Sequence, residues 1–338
     1  MKICMVTGLQ KLGRMLSFTN AGGMGTQVPM LAERLRSQGI AVSIDDPTGC
    51  DVIHLHNPMP QFVPLILRAK KRGTPVIIHA RHLPELVKGG FKFESIIHPV
   101  FDRYSRWLYN QADMVICATP YVHRWMTDND VTSPTRVIPN GVNRDMFSFS
   151  EKDRQRFREK HAVGEKCVVF SVGLLIPRKG VRDFIETARR LESSGDYAFF
   201  WAGSSEPGLE RVDVSDAPGN VTFLGHVPFE QMSQVYAGGD IFFFPTYAES
   251  YGNVLFEAAA AERVLLIRDI QIYQDWLHHE ENCLKGSSVD DFAAAIERIH
   301  HDSELRQQLQ QGARRLAEEH DISRTVDLLA DTYARLVA

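Results

Sequence analysis

Short apolar runs alternate with amphipathic stretches along almost the whole chain. Residues 3–6, 42–44, 52–55, 76–78 and 114–118 are near-continuous runs of Val, Ile, Leu, Met and Cys. Runs of that length, apolar on both faces, predict buried strands of a parallel sheet. Between the first two lies a predicted helix over 26–38, with Val28, Leu31 and Leu35 on one face. The alternation pauses near Asn140-Gly141, and a polar, charge-rich stretch over 148–165 follows, where we place a hinge. A second set of strands is predicted at 167–172, 198–202, 221–224, 240–245 and 264–267, and residues 303–338 read as helical with two faces. The pattern predicts an α/β protein of two doubly wound, Rossmann-like domains, 1–147 and 148–320, with a C-terminal helical segment over 321–338.

Composition changes this picture little. The 338 residues are 44% hydrophobic and 24% charged, as in a globular protein with room for two cores. No apolar stretch reaches the length of a membrane span, and MKICMVTG reads as a first strand rather than a signal peptide. The five cysteines are scattered without metal-type spacing, which fits buried thiols in a reducing cytoplasm. Charge is more informative. Residues 1–150 carry 17 Lys+Arg against 11 Asp+Glu, and the remainder 21 against 31, so +6 faces −10. The basic half is expected to meet an anionic partner. Nucleic acid is excluded as that partner, because no reading element accompanies the basic residues.

The densest chemistry lies at 249–257, ESYGNVLFE. Glu249 falls in the loop between the apolar run at 240–245 and a helix predicted over 253–262, with Ser250 placed to cap the first turn. The amides of Tyr251, Gly252 and Asn253 would face a ligand at the helix start, a natural phosphate site. Glu257, about one turn into the helix, suits paired hydroxyls such as those of a ribose. A second strand–turn–helix runs from Gly173 to Gly180 and on into a helix over 181–191; its adjacent Arg178 and Lys179 suit a diphosphate whose charge grows as it leaves. In the first half, Gly22-Gly23 precede a helix and would let a substrate approach its first turn. His54 and His56 share one face of a strand end. With no Cys or carboxylate set beside them, they are read as lining a crevice, not as metal ligands. Asp128-Asn129-Asp130 reads as a turn. The stretch from Pro84 to Tyr109 interleaves Lys88, Lys92, Arg103 and Arg106 with Phe91, Phe93, Phe101, Tyr104 and Trp107, a surface suited to anionic lipid.

The segment 249–257 resembles the E-x7-E motif of the retaining glycosyltransferases of family 4. Further strings match that family in order: Gly22-Gly23, DVIHLH at 51–56, VIPNG at 137–141, VGLLIPRKG at 172–180, FFWAG at 199–203 and NVTFLG at 220–225. The resemblance implies a GT-B fold, two facing Rossmann-like domains with a cleft between them. The N-terminal domain would bind the acceptor and the C-terminal one the nucleotide sugar, with the last helix packing back on the first domain. It also implies front-face transfer without a metal or cofactor from a UDP-hexose, glucose or galactose. Glu249 would hold the transferred sugar and Glu257 the ribose. Lys179 and Arg178 would stabilise the leaving group. Gly173, Gly203, His226 and Val227 would complete the donor site with 249–253. Two positions depart from the family. Leu174 stands where an Arg usually follows the first Gly, and the usual His position falls on Arg81, with His82 next and His79 two before. His82 or Arg81 is expected at the transferred sugar, and Gly22, Gly23, His56 and His79 on the acceptor side. Leu83-Pro-Glu85, the RKG of 178–180 and Arg268-Asp269-Ile270 resemble the glycolipid-forming members, which glycosylate diacylglycerol or a glycosyl-diacylglycerol. This implies a cytoplasmic enzyme, peripheral on the inner face of an anionic membrane. The alternatives are a lipid-linked oligosaccharide or polysaccharide acceptor, a nucleotide-sugar epimerase, and a non-catalytic sugar-nucleotide-binding module. A dinucleotide-dependent oxidoreductase is disfavoured, since no G-x-G-x-x-G follows the first strand.

Overall fold

The apolar runs become strands because each is buried on both faces by helices. In the computed structural model, residues 1–8, 24–81, 83–87 and 94–338 are described. They form two compact units, Met1–Gly141 with Ile322–Ala338, and Val142–Asp321. The division falls at Gly141/Val142, six residues before the expected 147/148. The charged stretch 148–165 is therefore not a hinge. It contains the helix Glu151–Lys160, capped by Ser150, whose Oγ accepts from the Asp153 amide at 3.2 Å. Phe157 on that helix is buried against Phe200. Phe157 is the one apolar residue of these ten, and Arg154 and Arg158 add ion pairs to Asp240, a mode of docking that a hydropathy pattern registers poorly.

The first unit holds a six-stranded parallel sheet in the order β2-β1-β3-β4-β5-β6. The strands are β1 Lys2–Val6, β2 Ala41–Ile44, β3 Val52–Leu55, β4 Val76–Ala80, β5 Met114–Cys117 and β6 Thr135–Val137. The helix Met24–Ser37 covers one face with Val28, Leu31 and Leu35. The last helix, Ile322–Val337, joins the same core through Ile322, Val326, Leu329 and Tyr333. The two-faced segment 303–338 is thus two helices, Ser303–Glu319 in one unit and Ile322–Val337 in the other.

The second unit repeats the theme in the order β12-β11-β10-β7-β8-β9. Its strands are β7 Cys167–Val172, β8 Tyr197–Ala202, β9 Val221–Gly225, β10 Ile241–Phe244, β11 Val264–Arg268 and β12 Leu284–Gly286. The two strands absent from the sequence reading, β6 and β12, are three-residue edge strands, too short for a periodic signal. In each sheet the strand order reverses at one point, β1/β3 in the first and β7/β10 in the second. Open parallel sheets bind ligands outside the carboxyl ends of the strands at such a point.

Two smaller expectations meet the structure differently. Asp130 sits at φ 59 just past the helix Pro120–Asp128, so 128–130 is a turn. The cysteines are not all thiols: Cys4 and Cys50 are joined, with Cα atoms 5.7 Å apart. The Asp51 amide donates to Lys2 O at 2.9 Å, which brings position 50 beside β1. Cys117, Cys167 and Cys283 are free and buried. Among the described residues no helix is long and apolar enough to cross a membrane.

Candidate functional site

The reversal of strand order at β7/β10 sets side by side two loops that lie 70 residues apart in the chain. From the loop after β7 come Gly173, Arg178 and Lys179; from the loop after β10 come Glu249 and the start of the helix Asn253–Ala260. The loops interlock through their backbones. Tyr247 N donates to Arg178 O at 2.8 Å, and a Cβ on Gly180 (φ +73) would lie 2.2 Å from Pro245 O, so only glycine fits there.

On this frame the Lys179 ammonium donates to Glu249 Oε1, and Arg178 lies 3.7 Å from the same oxygen. Thr246 Oγ1 is a second hydrogen-bond donor to it at 3.2 Å, and Arg178 Nη1 donates to Ala248 O at 2.6 Å. Both charged partners are largely buried, 14% and 9% exposed. Burial alone would push the Glu249 carboxyl up, but Lys179 and Arg178 hold it below its usual value. Burial lowers the Lys179 ammonium against the pull of Glu249. Two cations against one carboxylate leave a net positive charge here, ready for an anion. The helix that follows adds its dipole, worth about half a charge at the N-terminus. Gly252 is its N-cap residue, in the left-handed region at φ +82, with no side-chain cap. Ser250, two residues upstream, does not cap the helix: the left-handed turn at Gly252 places it too early. Asn253 opens the helix, and Tyr251 contributes only backbone. Its ring is buried, stacked on Phe256, with its hydroxyl 3.1 Å from His320 Nδ1.

Glu257 stands one turn further in. The Tyr236 hydroxyl donates to its Oε2 at 2.5 Å. Burial pushes its carboxyl up to about 7, the Tyr236 bond opposing. Gly203 and Gly225 pair at the ends of β8 and β9, the Gly203 amide donating to Gly225 O at 2.8 Å. His226 and Val227 follow directly, His226 exposed and Val227 partly so. Leu174, the position without the usual Arg, is partly exposed in the same loop.

In the first unit, His54 from β3, His56 just after it and His79 from β4 stack within one core, with ring centroids 4.2 to 5.7 Å apart. Their ligand-capable atoms lie within 4.8 Å of one another, a closeness that the reading of two isolated histidines missed. Arg81 joins them, buried at 6% exposure. It donates to Gln27 Oε1 and lies 3.4 Å from His56 Nδ1. Tyr333, from the last helix, meets His54 Nδ1 at 2.7 Å. Gly22, Gly23, His82, Lys88, Phe91, Lys92 and Phe93 lie outside the described residues. The helix Glu94–Tyr109 leaves Val100 and Trp107 exposed, at 67% and 47%, and Ile97 at 38%.

Sequence reasoning missed Thr246, Tyr236, Tyr273 and the meeting of Arg81 with Gln27. Thr246 lies three residues before Glu249 and was open to inference from that spacing. Tyr273, whose hydroxyl a Cβ on Gly252 would meet at 2.5 Å, carries no local signal.

Known proteins are similar to this chain in sequence and in fold. Residues 153–316 match the family model for glycosyl transferases group 1, and residues 44–146 the model for Glycosyltransferase Family 4. The processive diacylglycerol alpha-glucosyltransferase of Acholeplasma laidlawii is 27% identical over 332 residues, covering 95% of this chain and 96% of that one. The alpha-galactosylglucosyldiacylglycerol synthase of Streptococcus pneumoniae is 24% identical over 327 residues, covering 94% and 86%. Among solved structures, Anabaena HepE in complex with UDP-glucose superposes with a TM-score of 0.79 at 16% identity, covering 99% of this chain and 100% of that one. With both halves matched in order and two six-stranded parallel sheets, each with one reversal of strand order, the chain belongs to the family 4 glycosyltransferases of GT-B fold.

Proposed function

We propose that this glycosyltransferase moves a hexose from UDP-glucose or UDP-galactose to diacylglycerol or a glycosyl-diacylglycerol, retaining the anomeric configuration and requiring no metal. The observation that carries the donor half is the meeting of Arg178, Lys179 and Glu249 at the β7/β10 switch point, beside a helix N-terminus. A diphosphate placed there gains charge as the glycosidic bond breaks, and preformed cations and amides stabilise that charge without reorganising. Glu249 holds the sugar hydroxyls and is itself held by Lys179 and Thr246. Glu257 accepts from the ribose. The acceptor hydroxyl attacks on the face the diphosphate leaves, and a departing phosphate oxygen takes its proton. Lipid as acceptor is supported by the two relatives, one named as a diacylglycerol glucosyltransferase and the other as a glycosyl-diacylglycerol synthase. The exposed Val100 and Trp107 on a helix that also carries Arg103 and Arg106 support a peripheral seat on the cytoplasmic face of an anionic membrane.

A panel of nucleotide sugars, offered with and without diacylglycerol, glycosyl-diacylglycerol and a lipid-linked oligosaccharide, tests this reading by product mass and anomeric NMR. We expect an α-linked glycolipid from a UDP-hexose, formed equally well in the presence of a chelator. Conversion of the nucleotide sugar without acceptor would mean an epimerase. UDP-hexose binding without turnover would mean a binding module.

A further inference from the structure

The polar core of the first unit is built unlike a hydrophobic one. Arg81 carries its charge at 6% exposure, and among the described residues no carboxylate pairs with it. A buried, uncompensated charge costs several kcal/mol. Burial lowers His54 to about 3 and takes His56 and His79 well below the usual range, so all three are neutral near pH 7. Arg81 is lowered to about 9 and stays charged. The cluster therefore carries one unbalanced positive charge.

Three histidines so close invite a metal, but the hydrogen bonding opposes one. A guanidinium only donates, so His56 Nδ1 accepts from Arg81 and the His56 proton sits on Nε2. That nitrogen is a donor, not a ligand, and among the described residues it has no partner; Arg81 Nε, a second donor, has none among them either. A divalent ion would also sit beside the guanidinium with no thiolate or carboxylate to offset it. Unpaired donors around a lone positive charge are what an anion requires. The place fits as well: His56 directly follows β3 at the reversal of strand order, and Arg81 directly follows β4.

We infer that this core is an anion site, in which Arg81 and His56 take a phosphate group. The inference rests on the transferase reading only in assigning that group to the acceptor side; the binding itself does not depend on transfer. The group is supplied either by a phospholipid headgroup or by a phosphate in solution.

The test uses the full chain saturated with UDP, so that the donor site is filled. In one arm it is titrated calorimetrically with inorganic phosphate. In the other it is mixed with phosphatidylcholine vesicles, with and without phosphatidylglycerol. The variants are Arg81→Met and His56→Phe, with UDP affinity reporting that each has folded. We expect one phosphate site, weakened at least about tenfold in Arg81→Met and about threefold in His56→Phe. If free phosphate does not bind, we expect the same ranking in the phosphatidylglycerol-dependent vesicle arm, which assigns the group to the lipid. Surface attraction is common to all three proteins, so the difference between them reads the buried site alone. If Arg81→Met does not fold, His56→Phe decides by the same criterion. Binding indistinguishable from wild type in both arms overturns the inference, and so does stoichiometric Zn²⁺ binding abolished by His79→Ala. Failure of the transferase reading is separate: it appears as absence of glycolipid product with phosphate binding intact.

Discussion

Glu249 accepts hydrogen bonds from Lys179 and Thr246 and faces the Arg178 guanidinium at 3.7 Å, which makes it the most sensitive single residue of the proposed donor site. Replacing Glu249 or Lys179 with Ala is expected to slow hexose transfer at least about tenfold, the effect of 1.4 kcal/mol on the barrier. Near-normal turnover in both variants would remove the donor-site assignment. Glu249→Gln also leaves Lys179 and Arg178 without a buried counter-charge. It is expected to lower Tm more than Lys179→Ala, which leaves Glu249 paired with Arg178. Glu257 brings a pH dependence. Its folded-state value of about 7 lies above the ordinary 4.5, so between those values the folded protein holds a proton that the unfolded chain has lost. The stability this proton contributes is present at low pH and is lost as pH rises through 7. Donor affinity runs the other way, because the ionised carboxylate is the stronger acceptor for ribose hydroxyls. UDP-hexose, whose diphosphate does not titrate there, is expected to bind several-fold more weakly at pH 6 than at pH 8. In Glu257→Gln, both the stability slope and the affinity slope flatten. A wild-type affinity that is flat across this range would contradict the ribose role.

At the scale of elements, the helix starts differ in what they can lose. The helix Val289–His301 begins with a full capping box, Ser288 Oγ accepting from Asp291 N and the Asp291 carboxylate accepting from Ser288 N. Ser288→Ala is expected to cost about 1 kcal/mol in thermal or urea unfolding. Ser250→Ala should cost under about 0.5 kcal/mol, as for a surface position away from such features, because Ser250 caps nothing. Equal costs would contradict this account of the Asn253 helix. The contrast also shows how legible the chain was. Ser250 has the residue type and approximate position of a cap, yet the N-cap is Gly252 in a left-handed turn two residues on, and side-chain type alone cannot reveal that. The helix Glu151–Lys160 failed in the opposite direction, read as a linker because its surface is almost wholly charged. The long apolar strands were readable because burial on both faces leaves no polar position to blur them.

At the scale of the whole chain, the last helix belongs to the unit that begins the sequence. Ile322, Val326, Leu329 and Tyr333 fill the first unit's core, and Thr325 Oγ1 donates to Pro139 O at 3.0 Å. Ending the chain at Asp321 is expected to abolish the folding of the first unit while UDP binding in the second survives. A truncated protein that keeps two calorimetric transitions would show that the helix is dispensable. The charge asymmetry also acts at this scale. Binding to anionic vesicles is expected to weaken as salt rises, since exposed Lys and Arg are screened over about 10 Å at 0.1 M. Salt-independent binding would argue that apolar insertion, through side chains such as Val100 and Trp107, dominates.

Local chemistry is what the amino-acid sequence determined alone: which runs are buried strands, that two sheets of one kind follow each other, that Glu249, Arg178 and Lys179 sit in strand–helix turns, and that Glu257 lies one turn into a helix. These follow from periodicity and residue type over a few neighbouring positions. Tertiary structure alone decided who meets whom. The pairing of β7 with β10 joins Lys179 to Glu249, and the pairing of β3 with β4 brings Arg81 among three histidines. Strand order is set by packing between segments far apart in the chain, and no local pattern records it.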